Sequence, residues 1–219
     1  PAPGLPSKDS LRSIFSSTDS NTSKRVEAGI PFAFTKSRIV VHEGQRYFNT
    51  ARVKPLTPLD TEVQWAEGFP TIAEWMTTML GEDQLKHELA WLAYAYQNAY
   101  AGKPQRGHAH FLVGPPNSGK TLYNKCVLGG LFGGGIKASE YLCGKNDWTD
   151  YLFEYGMWLV DDEAPSESAA MHTAFTAKLK EHVANDTFLV TGKFKKSGRA
   201  FWRGRISITL NDDPISMRL

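Results

Sequence analysis

At 219 residues the chain is long enough for one large domain, or one domain with a small appendage, and too short for two well-grown cores. Its 41% hydrophobic content and 19 glycines are those of a globular protein, which excludes global disorder and a collagen-like fold. The longest apolar stretches fall far short of the roughly 18 residues that a membrane-spanning helix needs, and no basic segment followed by an apolar one opens the chain, so a soluble protein without a secretory leader is expected.

The net charge of +2 is unevenly spread. Between residues 178 and 205 stand Lys178, Lys180, Lys193, Lys195, Lys196, Arg199, Arg203 and Arg205 against only Glu181 and Asp186, so the remainder of the chain is net acidic. A basic block inside a mildly acidic protein points to an anionic partner. Cys126 and Cys143 are too few for a disulfide framework or, by themselves, for a structural zinc site.

Residues 1–29 read as a flexible lead-in, because the first 25 are rich in Ser, Thr and Pro and bury too little to offset the entropy of ordering. Arg38–His42 and Arg46–Asn49 flank Glu43-Gly44-Gln45 and predict a hairpin within a small β unit over residues 30–69. From Thr71 the period becomes helical: Ile72, Trp75, Met76, Met79 and Leu80 share one face, Thr71 with Glu74 fits a capping box, and Gly81 supplies a stop. A second helix is predicted from Glu82 to Tyr100, ending before Gly102 and Pro104, which makes residues 70–104 a helical subdomain. At helical spacing its aromatic and Met residues read as core packing rather than as a ligand box. Residues 105–219 hold the main domain. The chain opens on Pro1 and stops at Leu219 soon after a patterned strand, so a trimmed chain is expected.

The apolar run His110–Val113 leads into Gly114, Pro115, Pro116, Asn117, Ser118, Gly119, Lys120 and Thr121, and then into a predicted helix from Leu122 to Leu128. This is a complete phosphate-binding loop in strand, loop, helix order. Small residues let successive backbone N–H groups curl around phosphate oxygens at a helix N-terminus. Lys120 then reaches the β- and γ-phosphates of ATP, and the Thr121 hydroxyl can ligate Mg²⁺. Further on, Met157–Val160 runs into Asp161, Asp162 and Glu163, the pattern of an apolar strand ending in acids. Asp161 is the candidate for the Mg²⁺ shell, and Asp162 or Glu163 for orienting water. A third strand, Arg205–Leu210, ends in Asn211. If it lies between the other two, the carboxamide faces the γ-phosphate; equally, Asn-Asp-Asp-Pro is a turn sequence, and periodicity does not choose between them.

Other features read as structural. His108 and His110 lie two apart with no acid or Cys cluster beside them, which favours structure over metal binding. Cys126 is expected as a small buried residue on the helix after the loop. Around Phe194 the residues Lys193, Lys195, Lys196 and Arg199 make a cationic turn suited to phosphate contact, with a merely solvated hairpin as the alternative.

The loop from Gly114 to Thr121, the Asp161-Asp162 pair and the strand ending at Asn211 resemble motifs A, B and C of superfamily 3 helicases, over about residues 105–219. The lead-in resembles, much more weakly, the region before the helicase core in phage primase-helicases. The resemblance implies an α/β P-loop core of AAA+ type with a central parallel sheet, assembled as a ring, usually a hexamer, that moves on single-stranded DNA at the expense of ATP and Mg²⁺. By position it makes Lys120 and Thr121 nucleotide ligands, Asp161 and Asp162 the motif B acids and Asn211 the polar sensor. Lys195 and Lys196 fall where the family places a DNA-gripping hairpin. Arg218 and the arginines of the basic block are candidates for the finger given to a neighbouring subunit. It also implies a primase or initiator domain as a further partner, and a place in the host cytoplasm, or in the nucleus for a eukaryotic DNA virus. The competing readings are an origin initiator or packaging motor with the same nucleotide site, and a DNA-binding or assembly module that binds ATP without turnover.

Overall fold

Residues 28–51, 62–161, 168–192 and 198–213 are described by a computed structural model. The hairpin forms as predicted: β2 (Ile39–His42) runs antiparallel to β3 (Gln45–Asn49), with His42 opposite Gln45. Its two-residue turn places Glu43 (φ 51) and Gly44 (φ 75) in left-handed backbone, whose twist matches that of the strands. The hairpin is part of a larger sheet. β1 (Gly29–Ile30) runs parallel to β3 on one side and, on the other, pairs with β8 (Gly198–Phe201), which is antiparallel to β7 (Thr187–Val190). Hydrogen bonds therefore join residues 29–49 to residues 187–201 in a five-stranded sheet ordered β2-β3-β1-β8-β7.

A short α1 (Trp65–Gly68) precedes the helical pair, α2 (Pro70–Leu80) and α3 (Glu82–Tyr100), which are separated by Gly81 at φ 76. The capping box is corrected. Phe69 holds the cap position with no side-chain hydrogen bond and Pro70 opens the first turn, where its missing N–H costs nothing, so Thr71 lies inside the helix. No helix of the described residues is long and apolar enough to cross a membrane.

Four parallel strands make the second sheet: β4 (His110–Gly114), β5 (Ile136–Lys137), β6 (Met157–Asp161) and β9 (Arg205–Asn211), in the order β4-β9-β6-β5. The loop after β4 continues into α4 (Lys120–Leu122), a π-helical stretch (Tyr123–Leu128) and α5 (Gly129–Leu131). Alternation along the buried β9 divides its side chains. Ile206, Ile208 and Leu210 join Trp158 and Val160 in a core shared with Leu142 of α6 (Ser139–Leu142) and Phe175 of α7 (Ala169–Ala184). Ser207 turns the other way, toward Asn124 and His110. On that side Met76, Leu85, Leu112, Tyr123, Phe132 and Met157 form a second core beneath the helical pair. The sequence reading missed α7, although Ser168 accepts from the Met171 N–H at 3.2 Å as its cap, and Met171, Phe175, Leu179 and His182 follow on one face.

The basic block divides sharply. Arg203 is buried and grips Asp186 through Nε (2.9 Å) and Nη2 (3.0 Å) while also reaching Glu43 (3.1 Å); Arg106 clasps the same Asp186 at 2.8 and 2.6 Å. Burial alone would raise the Asp186 pKa, but hydrogen bonds from the two guanidiniums hold it far below the usual carboxylate range. Arg205 is 1% exposed, and its Nη1 donates to the carbonyls of Gln105, Arg203 and Gly204 at 3.0–3.1 Å. Burial lowers its pKa to about 10. A Cβ at Gly107 would collide with this guanidinium, which explains the glycine there. Lys178 is tied to the Tyr141 carbonyl at 2.7 Å, so Lys180 and Arg199 are the described cations of the block that stand exposed.

His182 lies 4% exposed among Phe153, Trp158, Phe188 and Trp202, with Nε2 3.0 Å from Tyr141 Oη. Burial, reinforced by Lys178, lowers its pKa to about 3. The unfolded imidazole takes up a proton near pH 6.5 and the folded one does not. Its contribution to stability is therefore complete above pH 6.5 and is lost as pH falls toward 3, at about 1.4 kcal/mol per pH unit. In urea unfolding, wild type is expected to lose about 2 kcal/mol more than His182→Leu between pH 6.5 and pH 5; parallel pH profiles would refute a neutral buried His182.

Candidate functional site

Between β4 and α4 the chain turns through left-handed backbone at Asn117 (φ 62) and Gly119 (φ 98). Pro115, Pro116 and Asn117 are exposed at the tip, Ser118 is partly buried, and Lys120 is 6% exposed. Its ammonium lies inside the loop, donating to the carbonyls of Gly114 (2.9 Å) and Pro115 (2.7 Å), with Ser118 Oγ and Asn211 Oδ1 each at 3.4 Å. The meeting with Asn211 follows from sheet register, since Gly114 and Asn211 are partners at the ends of adjacent parallel strands. β9 thus lies between β4 and β6, where a sensing role for Asn211 needs it.

Asp161 closes β6, in register with Thr209. Its Oδ1 accepts from Thr121 Oγ1 at 2.7 Å and from Thr209 Oγ1 at 2.8 Å. Lys120, Thr121, Asp161 and Asn211 therefore converge at the carboxyl ends of three neighbouring parallel strands, where ligands of open α/β sheets bind. Thr209 was not among the predicted site residues. Its signal was the polar alternation of Ile206-Ser-Ile-Thr-Leu210, whose hydroxyls had to face away from the apolar core. The Thr121 hydroxyl and Asp161 carboxylate, hard oxygen donors side by side, suit Mg²⁺. Among the described residues no group of three or more His, Cys, Asp and Glu gathers as a metal cluster.

Several candidates fall elsewhere. Asp162, Glu163, Lys193, Lys195, Lys196 and Arg218 lie outside the described residues. Arg199 is exposed at the start of β8. The expectation that block arginines could be offered to a neighbouring subunit is corrected for Arg203 and Arg205, both buried and held by internal acceptors.

Beneath the loop runs a buried polar network. Tyr123 Oη donates to Glu88 Oε1, and the other carboxylate oxygen lies 2.7 Å from His110 Nε2. His110 Nδ1 is 2.9 Å from Ser207 Oγ, which donates to Asn124 Oδ1 at 2.7 Å. Because Ser207 spends its proton on Asn124, it accepts from His110 Nδ1–H, which leaves Nε2 facing Glu88. Burial, and next the Glu88 charge, push the Tyr123 hydroxyl pKa far up, so it stays a donor. One acid, Glu88, does stand beside His110, supplied by α3 from a distant part of the chain, and no metal-binding cluster forms around it among the described residues. His108 is exposed. Cys126 is also corrected: it lies exposed on the outer side of the π-helical stretch.

No family model and no curated protein matches the sequence. Among solved structures, the chain is similar to the apo NrS-1 C-terminal region (305–718), with TM-score 0.59 and 17% identity over 88% of this chain and 44% of that one. The A form apo structures of the same region give TM-scores of 0.55 and 0.53 at 20% and 18% identity, over 94% and 85% of this chain and 48% and 42% of those. The chain spans less than half the length of the structures it matches. At such identities the likeness concerns the fold: the chain shares the mixed α/β fold of the NrS-1 C-terminal region.

Proposed function

We propose that this chain carries the ATPase core of a replicative DNA helicase of superfamily 3 type, which couples ATP hydrolysis to movement on single-stranded DNA as a ring of several copies. The observation that carries the reading is the convergence of Lys120, Thr121, Asp161 and Asn211 at the ends of β4, β6 and β9. A triphosphate seated in the loop would accept from the Lys120 ammonium in place of the Gly114 and Pro115 carbonyls. Asn211, 3.4 Å from that ammonium, would hydrogen-bond the γ-phosphate or the water next to it. Thr121 and Asp161 would hold Mg²⁺, which supplies neutralisation of the phosphate charge. Catalysis in this arrangement is electrostatic and positional. Lys195 and Lys196 are proposed to grip DNA, with Lys193 and Arg199 beside them, and a neighbouring copy to donate an arginine, for which Arg218 is the candidate. A primase or initiator domain is the proposed further partner.

Phosphate release from ATP, measured over a range of protein concentrations with and without single-stranded DNA, tests this. Turnover is expected to rise with both, and DNA stimulation to vanish in Lys195→Ala/Lys196→Ala while basal turnover survives. ATP binding without turnover under every condition would favour a nucleotide-dependent assembly module.

A further inference from the structure

The predicted core face of α2 is split by the fold. Ala73 and Met76 are buried, whereas Trp75 and Met79 are only partly buried and Ile72 is 46% exposed. Ile72, Trp75 and Met79 fall at i, i+3 and i+7, one stripe of the helix. That stripe ends at the phosphate loop. A Cβ built on Gly119 would lie 3.5 Å from Trp75 Nε1 and 3.7 Å from both Trp75 Cζ2 and Met79 Sδ, so the indole and thioether face the loop one residue before Lys120 across the space a side chain would fill. The φ of 98° at Gly119 independently requires glycine there.

From this placement we infer that Trp75 and Met79 form the platform for the nucleoside end of a nucleoside triphosphate whose phosphates occupy the Gly114–Thr121 loop; the inference rests on the nucleotide reading above. A triphosphate bound by the loop must carry its ribose and base out past the loop's helix end. Beside Gly119 stand the Nε1–Cζ2 edge of a partly buried indole and a polarizable sulfur. Bases stack on such groups through their π-faces, and every base has one. The platform is set in advance: the Trp75 ring packs 6.2 Å from the ring of Tyr123, which is buried and anchored on Glu88. A preorganised surface binds without the entropy cost of ordering it. The expected ligand class is therefore a purine nucleoside triphosphate, with the larger ring overlapping the indole more fully than a pyrimidine does. No base edge is read by this pair, so ATP and GTP are held with similar strength by it.

The test compares calorimetric binding of ATP, CTP and inorganic tripolyphosphate to wild type, Trp75→Ala and Trp75→Phe. Wild type is expected to bind ATP more tightly than CTP, and Trp75→Ala to weaken ATP about tenfold or more while leaving tripolyphosphate unchanged. Trp75→Phe, which keeps a packing and stacking ring, is expected to restore most of the loss. A 2-aminopurine riboside triphosphate gives a second reading, its fluorescence quenched by wild type and not by Trp75→Ala. Unchanged ATP binding in Trp75→Ala, or equal weakening of ATP and tripolyphosphate, would overturn the platform and leave the phosphate loop standing. Wild type that binds neither ligand would overturn the nucleotide reading, and the platform with it.

Discussion

Lys120→Ala is expected to reduce ATP turnover by a hundredfold to about a thousandfold while leaving the fold intact. The magnitude is that of removing one preorganised charge from a developing phosphoryl charge. The fold should survive because the ammonium's partners are two loop carbonyls next to the exposed tip, which water can satisfy once the side chain is gone. Lys120→Arg is not expected to rescue turnover. A planar fork on a different stem does not place a compact point charge inside the same ring of carbonyls. Phosphate release under saturating ATP, with thermal melts of both variants, checks the pair of statements. Wild-type turnover in Lys120→Ala would remove the loop from the chemistry altogether.

The largest effect on stability is expected at Glu88. Glu88→Ala deletes the acceptor of the fully buried Tyr123 hydroxyl and the partner of His110, itself 9% exposed. Leaving buried hydrogen-bonding groups unsatisfied costs about 1–3 kcal/mol each, and here both the Tyr123 hydroxyl and His110 lose their partner, so a loss of several kcal/mol is expected. Adding Tyr123→Phe should recover part of the loss, because the orphaned hydroxyl goes with its lost acceptor. Urea unfolding of the single and double variants measures both effects. A loss below about 1 kcal/mol in Glu88→Ala would mean that the network adjusts freely and does not fix α3 against β4 and β9.

What the sequence made legible was local. The order strand, loop, helix at Lys120, the stop of α2 at Gly81, both ends of α3 and the hairpin turn at Gly44 are written in neighbouring residues, and the structure has them. That β9 falls between β4 and β6 was conditional in the sequence and is settled by the register of Gly114 with Asn211 and of Asp161 with Thr209. Hidden features depend on partners far along the chain. Arg203 and Arg205 counted toward a basic block that pointed to an anionic partner, yet Asp186, Glu43 and the Gln105 carbonyl take them inside. Nothing beside Glu88 in sequence marks it for burial, and only folding sets it against His110 and Tyr123. Cys126 read as buried because free cysteine usually is, yet it lies exposed on the π-helical stretch.

The pairing of Gly29 with Ala200 sets a timetable for synthesis. β1 and the β2–β3 hairpin leave the ribosome long before the strand that completes their sheet. At 5–20 residues per second the wait is on the order of ten seconds or more. A lone hairpin is at best marginally stable in water, so during that interval its edge stands open to other chains. The nascent protein should accordingly depend on holding factors until β8 emerges. Slowing translation after residue 49 would lengthen that exposure, and with it the yield lost to aggregation.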